Sequence, residues 1–572
     1  MMIKLSFRVQ LNYYLWLLFT LLIFAGSVQS ASRKPVRAKH AMIVSAESLA
    51  TFAGLDILRS GGNAIDAAVA VAFTLAVTYP EAGNIGGGGF MLIRLADGQS
   101  TMIDFREKAP MAATRDMYLD SSGNVIPEKS VLGPLASGVP GAVAGLLMAL
   151  EEYGTKTRAE VLEKAIAYSG KGITVDLRLE ESLAGYRNGL EKFPSSTKVF
   201  TKNGEPYKEG DLFKQPDLAK TLRAIAKDGH DGFYEGEVAD RIVEEMKRSG
   251  GIITHEDLES YEAVERTPVF GSYRGFEIIS SAPPSAGGTV LLEMLNILEG
   301  LDMKAKGAHS SAAVHAFAAA AQRAYADRAL YLGDPDFVEI PQQQLISKEY
   351  AALRRKTFQE NKATPSADAP RGDKEEGSHE TTHFSIIDQF GNAVSTTVTV
   401  NSLYGCKTVV DGAGFVLNNE MDDFVSKPLN PDSYELVGFE ANAIAPEKRM
   451  VSSMTPTIVV KNDLPYLIVG GRGGSRITTA VAQVILNVVD FGMNVQEAVD
   501  FARVHHQWRP DKILYEPFTL PQDVMVNLQV MGYLLEATSI ANGRVEVIMR
   551  DAVTGYYLGA PDPREEGVAA GF

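Results

Sequence analysis

The chain has 572 residues, 45% of them hydrophobic and 22% charged, so it can bury a large core in roughly two to four domains or in one large α/β unit. Its 71 acidic residues outnumber its 55 basic residues, and the net charge is -16. Because nucleic-acid affinity depends on clustered lysine and arginine, this balance argues against a nucleic-acid partner.

Residues 1–30 have the pattern of a secretory signal peptide. Lys4 and Arg8 precede an apolar run at 13–25, which is followed by Val28-Gln29-Ser30-Ala31. The apolar run is shorter than the roughly 20 residues that a membrane-spanning helix needs. We therefore predict cleavage after Ser30, a periplasmic or secreted location and no stable membrane span, with an uncleaved membrane anchor as the alternative.

The first two-thirds of the chain is predicted to be mainly helical. A helix at 46–59 ends at Gly61-Gly62, and the next, at 64–77, is apolar on nearly every face, which is typical of a buried helix. The hydrophobic periodicity predicts further helices at 139–153, 216–226, 238–248, 287–298 and 312–331, and strands at 90–94, 100–104 and 276–280.

Cys406 is the only cysteine in the chain. A single cysteine cannot form an intrachain disulfide, although an exported chain would meet an oxidising compartment. No histidine is adjacent to it in the sequence SLYGCKT, so we interpret it as a partly buried structural residue and not as a nucleophile.

The composition changes at 359–380, QENKATPSADAPRGDKEEGSHE, which has no aromatic or branched aliphatic side chain. Such a stretch cannot offset the entropy of its own ordering by burial, and an interdomain linker is its ordinary interpretation. Yet a hairpin follows at once. Its predicted strands are 382–388 and 393–400, with a turn at 389–392, and its first residue is Thr381 or a neighbour.

Thr381 is a candidate nucleophile only if the Glu380–Thr381 bond is cut. A threonine hydroxyl in mid-chain has no base beside it, whereas a free α-amine with a pKa of roughly 7.7 to 8 can accept the hydroxyl proton. The threonine methyl also restricts χ1 and so holds Oγ in one direction. A flexible loop that ends at a rigid strand suits such a cut, because the loop can swing away afterwards.

Several motifs of the C-terminal part resemble those of the γ-glutamyltranspeptidase family, a group of N-terminal-nucleophile hydrolases. They are TTHFSIID, TVTVNSLYG, LNNEMDDF, VSSMTPT and GGRGGSR. The first half of the chain also matches, with GNIGGGGFM, DFREKAP, SAPPSAGGT and ADRALYLGDPDF. The resemblance extends from about residue 40 to the C-terminus, with the motifs in the family's order and spacing.

The resemblance implies an α+β fold, namely a four-layer αββα sandwich with two central antiparallel sheets. It also implies a precursor that cuts itself before Thr381. After removal of residues 1–30, residues 31–380 would form the large subunit and residues 381–572 the small subunit, and the two subunits would stay together as a heterodimer.

A γ-glutamyl donor such as glutathione presents an α-carboxylate, an α-ammonium group and the scissile γ-amide. A guanidinium can hold a carboxylate through two parallel hydrogen bonds, so Arg106 suits the α-carboxylate, and the resemblance adds Ser452 and Ser453 there. It places Glu420 and Asp423, from the acidic cluster of NNEMDDF, at the ammonium group, with Asn401 adding a hydrogen bond. Without the resemblance, that cluster would more often be a solvated turn.

The remaining roles concern the reacting atoms. Gly473 and Gly474 precede the predicted helix 477–489, where unpaired N–H groups and the helix dipole favour an oxyanion. The alternative is a glycine-rich turn that is needed only for tight packing. The four glycines at 86–89 keep this alternative open, because they have no assigned role. Thr399 would orient Thr381, although alone it is an ordinary strand residue. The segment 428–439 would form a lid, with Tyr434 as its aromatic residue.

The resemblance predicts a self-processing γ-glutamyltransferase and glutathione hydrolase. It would pass the γ-glutamyl group through a threonine acyl-enzyme to water or to amino acids and peptides, with no cofactor. We expect no metal site at His505-His506. We also expect none at His379 and His383, because i and i+4 residues of a strand do not share a helical face. Two alternatives remain, a cephalosporin acylase and an uncut γ-glutamyl-peptide-binding protein of the periplasm.

Overall fold

The computed structural model describes residues 32–366 and 379–572, and the side chains of His379 and Glu380 are not included. The predicted signal peptide and most of the polar stretch before Thr381 therefore lie outside the described residues. Residues 35–572 form one compact unit rather than several domains. Within the described part of the chain, no helix combines the length and the apolar character needed to cross a bilayer.

Twenty-one strands are present in the described residues. In chain order they are β1 Val36–Ala38, β2 Met42–Ser45, β3 Gly88–Arg94, β4 Ser100–Asp104, β5 Ile173–Thr174, β6 Thr201–Lys202, β7 Glu205–Pro206, β8 Leu212–Phe213, β9 Val264–Arg266, β10 Val269–Tyr273, β11 Phe276–Ser280, β12 His379–Ile387, β13 Ala393–Ser402, β14 Thr457–Lys461, β15 Leu464–Arg472, β16 Val504–His505, β17 Ile513–Tyr515, β18 Leu535–Ala537, β19 Arg544–Arg550, β20 Tyr557–Pro561 and β21 Val568–Gly571.

The α-helices separate most of these strands. They are α1 Ser48–Arg59, α2 Ala64–Thr78, α3 Ala142–Tyr153, α4 Arg158–Lys171, α5 Leu177–Leu190, α6 Pro194–Phe200, α7 Pro216–Asp228, α8 Asp231–Tyr234, α9 Gly236–Ser249, α10 His255–Glu259, α11 Gly287–Glu299, α12 Met303–Lys306, α13 Ser311–Tyr331, α14 Gln342–Leu345, α15 Lys348–Arg355, α16 Arg476–Val489, α17 Val495–Asp500 and α18 Gln522–Met531. Short 3-10 turns occur at Pro134–Ala136, Glu420–Asp423 and Glu440–Asn442.

Two seven-stranded sheets form the centre of the molecule, and every pairing in them is antiparallel. The first sheet has the order β1-β20-β19-β15-β14-β11-β10, and the second has the order β21-β2-β12-β13-β3-β4-β9. In both sheets the central strands come from the chain after Thr381, whereas the chain before Thr381 supplies strands on either side of them. Neither half of the chain therefore forms a complete sheet by itself.

The alternation of side chains along the strands explains the four layers. In β2, Met42 and Val44 lie in the core that includes the first sheet, while Ile43 points to the opposite face and joins the core of α1 and α2. The polar side of β12 also faces the first sheet, because Ser385 Oγ donates a hydrogen bond to the Glu546 carbonyl at 2.8 Å. Helices α11 and α16 pack on the first sheet and close the sandwich.

The predicted helices are all present, within a few residues of their expected ends. Helix α2 is the best example, because Asn63 and Asp66 form a capping box at its start and all its residues are buried. The predicted hairpin is also present as β12 and β13. It begins earlier than expected, at His379, because β13 extends to Ser402 and continues to pair with the chain before Thr381.

Candidate active site

Thr381 lies in β12, an inner strand of the second sheet. In β12 it is the direct antiparallel partner of Thr399 in β13, and only 4% of its surface is exposed. The ladder shifts register between His379 and Thr381, so the Glu380–Thr381 bond lies at an irregularity in the pairing. The hairpin therefore fixes the position of Thr381 from both sides of that bond.

A narrow pocket with an empty volume of about 320 Å³ opens at Thr381. Ten of the residues predicted for the site line it: Arg106, Thr381, Thr399, Asn401, Glu420, Asp423, Tyr434, Ser452, Ser453 and Gly474. Gly473 adjoins the pocket through Gly474. Residues from distant parts of the sequence thus meet where the strand β12, the glycine turn and the acidic 3-10 turn converge.

Arg106 is fully buried at the base of this pocket and is held by carboxylates. Its Nη1 lies 2.8 Å from Glu420 Oε2, and its Nη2 forms an ion pair with Asp423 Oδ2. Its Nε donates to the Met450 carbonyl at 3.2 Å. The resemblance assigns Arg106 and the two acids to opposite charges of a substrate, and in the structure these three groups pair with one another.

The carboxyl groups around Arg106 outnumber the positive charge that it supplies. Burial raises the pKa of Glu420 well above its usual range, even though Arg106 opposes the rise. Burial likewise raises the pKa of Asp423, and it raises the pKa of Glu107, the neighbour of Arg106 in sequence, to about 8. The acidic end of the pocket is therefore poised to receive a further cationic group.

Ser452 and Ser453 line the pocket beside Arg106 and Arg328. Ser452 N–H donates to the Pro284 carbonyl at 3.0 Å, and Ser452 Oγ accepts the Met454 N–H at 3.1 Å. Ser453 Oγ accepts a hydrogen bond from Arg328 Nη2 at 3.4 Å. Two hydroxyl groups and two guanidinium groups thus surround the same side of the pocket.

Asn401 connects β13 to the segment 428–439. Its backbone is left-handed, with φ of 70°, and its N–H donates to Thr399 Oγ1 at 2.8 Å. The Tyr434 hydroxyl, from the segment predicted as a lid, donates to the Asn401 carbonyl at 3.0 Å. This hydrogen bond fixes Tyr434 where it lines the pocket.

The glycine turn between β15 and α16 has two left-handed residues, Gly473 with φ of 127° and Gly474 with φ of 55°. A Cβ atom on Gly474 would lie 2.0 Å from Cδ1 of Tyr434. Glycine is thus required here for backbone conformation and also for the contact with the lid.

The structure gives the four glycines at 86–89 a packing role. A Cβ atom on Gly86 would lie 2.0 Å from the Val416 carbonyl oxygen, and one on Gly87 would lie 1.9 Å from the Thr399 carbonyl oxygen. Gly88 and Gly89 belong to β3, which pairs directly with β13. These glycines let the backbone come close behind the Thr381–Thr399 pair.

The histidines are part of the hydrogen-bonded core. His383 lies on the same face of β12 as Thr381, and its ring nitrogens bond to Thr397 Oγ1 at 2.9 Å and Ser385 Oγ at 3.2 Å. Burial lowers its pKa to about 3, so its ring is neutral. His505 bonds to Thr479 and Gln507 instead of forming a ligand pair with His506. Within 32–366 and 379–572 no cluster of three potential metal-binding side chains occurs.

Sequence reasoning missed Arg328, Leu436, Met454, Ser475 and Ile477, which also line the pocket. Arg328 belongs to the motif ADRALYLGDPDF, which contributed to the resemblance although none of its residues was given a role. Met454 and Ser475 directly follow the predicted site residues Ser453 and Gly474 in the sequence, and nothing else in the sequence indicated that they line the pocket.

A sandwich of two antiparallel sheets between helical layers, with a threonine in an inner strand facing a charged pocket, defines an N-terminal-nucleophile hydrolase. The family model described as gamma-glutamyltranspeptidase matches residues 50–572. The chain belongs to the gamma-glutamyltranspeptidase family, as its motifs predicted, and it is an enzyme of that family rather than a binding protein.

Individual relatives agree with this assignment. The chain is 47% identical over 555 residues to a glutathione hydrolase proenzyme of Pseudomonas sp. strain A14, covering 96% of both chains. It is 48% identical over 543 residues to the glutathione hydrolase proenzyme of Escherichia coli K12, covering 94% of this chain and 93% of the relative. The crystal structure of a cephalosporin acylase from Bacillus halodurans superposes with a TM-score of 0.84 at 30% identity, covering 96% of this chain and 98% of that one.

Proposed function

We propose that the chain cuts its own Glu380–Thr381 bond and that Thr381 is then the nucleophile of a γ-glutamyltransferase and glutathione hydrolase. Residues 31–380 become the large subunit and residues 381–572 the small subunit of a heterodimer. The observation that carries this proposal is the position of Thr381 in the same pocket as Arg106, Glu420 and Asp423. The relatives named glutathione hydrolase proenzyme support both the precursor and the donor.

Maturation begins when Thr381 Oγ attacks the carbonyl carbon of Glu380. The acyl group moves from the Thr381 nitrogen to its oxygen, and the nitrogen takes up the hydroxyl proton to become a free amine. Water then hydrolyses the ester and releases the Glu380 carboxylate. The amine of Thr381 now serves as the base for its own hydroxyl group, while Thr399, its strand partner, orients that group.

Donor binding exchanges the ion pairs of the empty pocket. The α-carboxylate binds Arg106 with Ser452 and Ser453, and the α-ammonium group takes its place beside Glu420 and Asp423. Asn401 provides a further hydrogen bond to the ammonium group through its side chain. This exchange keeps Arg106, Glu420 and Asp423 paired, which suits a zwitterionic γ-glutamyl group better than an acyl group without these charges. The charged pocket thus favours a γ-glutamyl donor over the substrate of an acylase.

The chemical step has two halves. Thr381 Oγ attacks the γ-carbonyl carbon, Gly473 and Gly474 donate backbone N–H groups to the oxyanion, and the protonated amine of Thr381 passes its proton to the departing amine. For glutathione that amine is cysteinylglycine. Water or the amino group of an amino acid or peptide then attacks the γ-glutamyl ester, which releases glutamate or a new γ-glutamyl compound and frees Thr381.

The proposal also gives the segment 428–439 a role as a lid and gives the protein a location outside the cytoplasm. Tyr434 covers the pocket beside Gly474 and shields the acyl-enzyme from water, which favours transfer to an amine. The sequence of residues 1–30 supports export to the periplasm or the medium, followed by removal of that segment.

Two measurements test the proposed function. On a denaturing gel the purified chain should give two bands, and sequencing of the smaller one should read TTHFSIID. Thr381→Ala should give one band near full length with a preserved fold, whereas Thr381→Ser, which keeps a hydroxyl, should still be cut.

Product analysis with glutathione tests the activity itself. Glutamate should appear with glutathione alone, and a γ-glutamyl adduct should appear when glycylglycine is added. A correctly cut enzyme that forms neither product would defeat the assignment of the donor.

A further inference from the structure

Arg328 is a second buried guanidinium in the active-site pocket. It projects from the last turn of α13, only 9% of its surface is exposed, and it lines both the pocket at Thr381 and a neighbouring pocket beneath the lid. None of the roles described above uses it.

The two pocket arginines differ in their partners. Arg106 is bonded to Glu420 and Asp423, whereas in the described parts of the chain no carboxylate oxygen lies within the 4.0 Å of an ion pair with Arg328. Its side-chain hydrogen bond is the one to Ser453 Oγ, at 3.4 Å, and its Nε has no partner among the described residues. A buried cation with so few partners is costly unless a ligand supplies the missing charge.

The nearby acids do not neutralise Arg328 directly. Asp423 is engaged by Arg106, and Asp432 of the lid accepts the N–H groups of Tyr434 at 2.7 Å and Leu436 at 3.0 Å. Both acids contribute to the electrostatic field at Arg328, but their close hydrogen bonds are made elsewhere. Arginine stays protonated in proteins, so Arg328 remains a positive charge facing the pocket.

We propose that Arg328 binds the α-carboxylate of the γ-glutamyl donor together with Arg106. This inference rests on the proposed function and adds a residue that determines which donors are accepted. The hydroxyl group of Ser453, which already contacts Arg328, lies on the wall where the carboxylate is bound. One carboxylate oxygen faces Arg106 and the other faces Arg328.

Charge pairing explains why two arginines serve one carboxylate. Among the described side chains, Arg106 is shared by three acids, Glu107, Glu420 and Asp423, whereas no acid forms an ion pair with Arg328. When the donor binds, its ammonium group takes over part of the attraction of Glu420 and Asp423, and its carboxylate supplies the anion for both guanidinium groups. A donor that lacks the α-carboxylate leaves the positive charge of Arg328 without an anionic partner, and it therefore binds less tightly.

The test compares two chromogenic amides that differ only in the α-carboxylate. They are γ-glutamyl-p-nitroanilide and 4-aminobutyryl-p-nitroanilide, which keeps the amino group. In Arg328→Gln, KM for the γ-glutamyl amide should rise about 10- to 100-fold with a smaller change in kcat. The kcat/KM for the 4-aminobutyryl amide, or its Ki as a competitive inhibitor, should change by less than about threefold.

Leu436→Ala is the matched control for an effect through the lid, since Leu436 lines the same pocket from the lid segment and carries no charge. It should change the values for both amides by similar factors and leave their ratio intact. An Arg328→Gln enzyme that behaves in the same way, or whose KM for the γ-glutamyl amide is unchanged, overturns the inference.

The wild-type enzyme distinguishes a failure of this inference from a failure of the proposed function. If cut wild-type enzyme fails to release nitroaniline from γ-glutamyl-p-nitroanilide, the proposed function itself is defeated. If Arg328→Gln does not mature, Arg328→Lys provides the same comparison. The lysine keeps the positive charge but lacks the planar guanidinium that can hold a carboxylate oxygen in a fixed direction. The preference for the γ-glutamyl amide should therefore fall several-fold. An unchanged preference overturns the inference.

Discussion

Arg106 holds together two acids that are more than 300 positions away in the sequence, at 420 and 423. Removal of its charge in Arg106→Met would leave Glu420 and Asp423 buried without a partner, and a broken buried pair costs about 3 to 5 kcal/mol. We expect the midpoint of thermal unfolding to fall by several degrees and the donor KM to rise. Arg106→Lys should fall between this variant and the wild type.

A surface ion pair provides the comparison for that prediction. Arg115 contacts Glu440 at 3.0 Å, but the side chains are 31% and 69% exposed. Such pairs contribute about 0 to 1 kcal/mol. Arg115→Met should therefore leave the unfolding midpoint nearly unchanged, and an equal loss in both variants would contradict the role given to Arg106.

His383 makes the nucleophile strand sensitive to acid. Its pKa is lowered from 6.5 to about 3 by burial, so between these values the unfolded chain binds a proton that the folded chain does not. This contribution to stability is complete above pH 6.5 and is lost as the pH falls towards 3. In His383→Gln, the unfolding midpoint should decline less steeply than in the wild type over this range.

His255 is a suitable control, because it is on the surface and contacts Asp240 with its side chain 55% exposed. His255→Gln should follow the wild-type curve of unfolding midpoint against pH. If His383→Gln followed that curve as well, protonation of the core at His383 would not limit acid stability.

At the level of the elements, the pairing of β3 with β13 depends on glycine. In Gly87→Ala the added methyl group would meet the Thr399 carbonyl at 1.9 Å, which only a shift of the backbone behind Thr381 can relieve. We expect a loss of stability of a few kcal/mol, within the range of overpacking, and slow or absent formation of the two bands on a denaturing gel.

Gly185 offers the same substitution without the crowding. It lies in α5, and no atom outside its local chain would approach a Cβ within 4 Å. Alanine is favoured over glycine in a helix by about 1 kcal/mol, so Gly185→Ala should be neutral or stabilising and should mature normally. Normal maturation of Gly87→Ala would show that the close approach is not needed.

The sequence predicted helices better than it predicted the ends of strands, for a physical reason. Helix α2 has its own cap and a continuous apolar composition, both of which are local. The start of β12 at His379 depends on pairing with Ser402, which lies in another strand, so no local pattern in the polar stretch indicates it.

The candidate site was predictable only in part. The motifs identified ten of the pocket residues, but the direct pairing of Arg106 with Glu420 and Asp423 depends on tertiary contacts. Arg328 stands in the motif ADRALYLGDPDF, but its burial was not predictable, because an arginine in an alanine-rich helix is most often a surface residue. Its burial is known only once α13 is packed against the lid.

At the level of the whole molecule, each sheet combines strands from before and after Thr381. The two proposed subunits should therefore elute together from a size-exclusion column at the mass of the uncut chain, or at a multiple of it, and separate only in denaturant. Elution of separate subunits from a native column would contradict this interleaving. Thr381→Ala provides the reference for the uncut chain.

The pairing of β12 with β13 on both sides of the Glu380–Thr381 bond also sets an order of events. The hydroxyl group can reach the carbonyl carbon only after the hairpin and the sheets around it have formed. If the bond is cut as we propose, a chain that misfolds keeps its bond and gains no free amine at Thr381. The new N-terminus would then mark only molecules that have folded, and the number of such termini would equal the number of molecules that can be active.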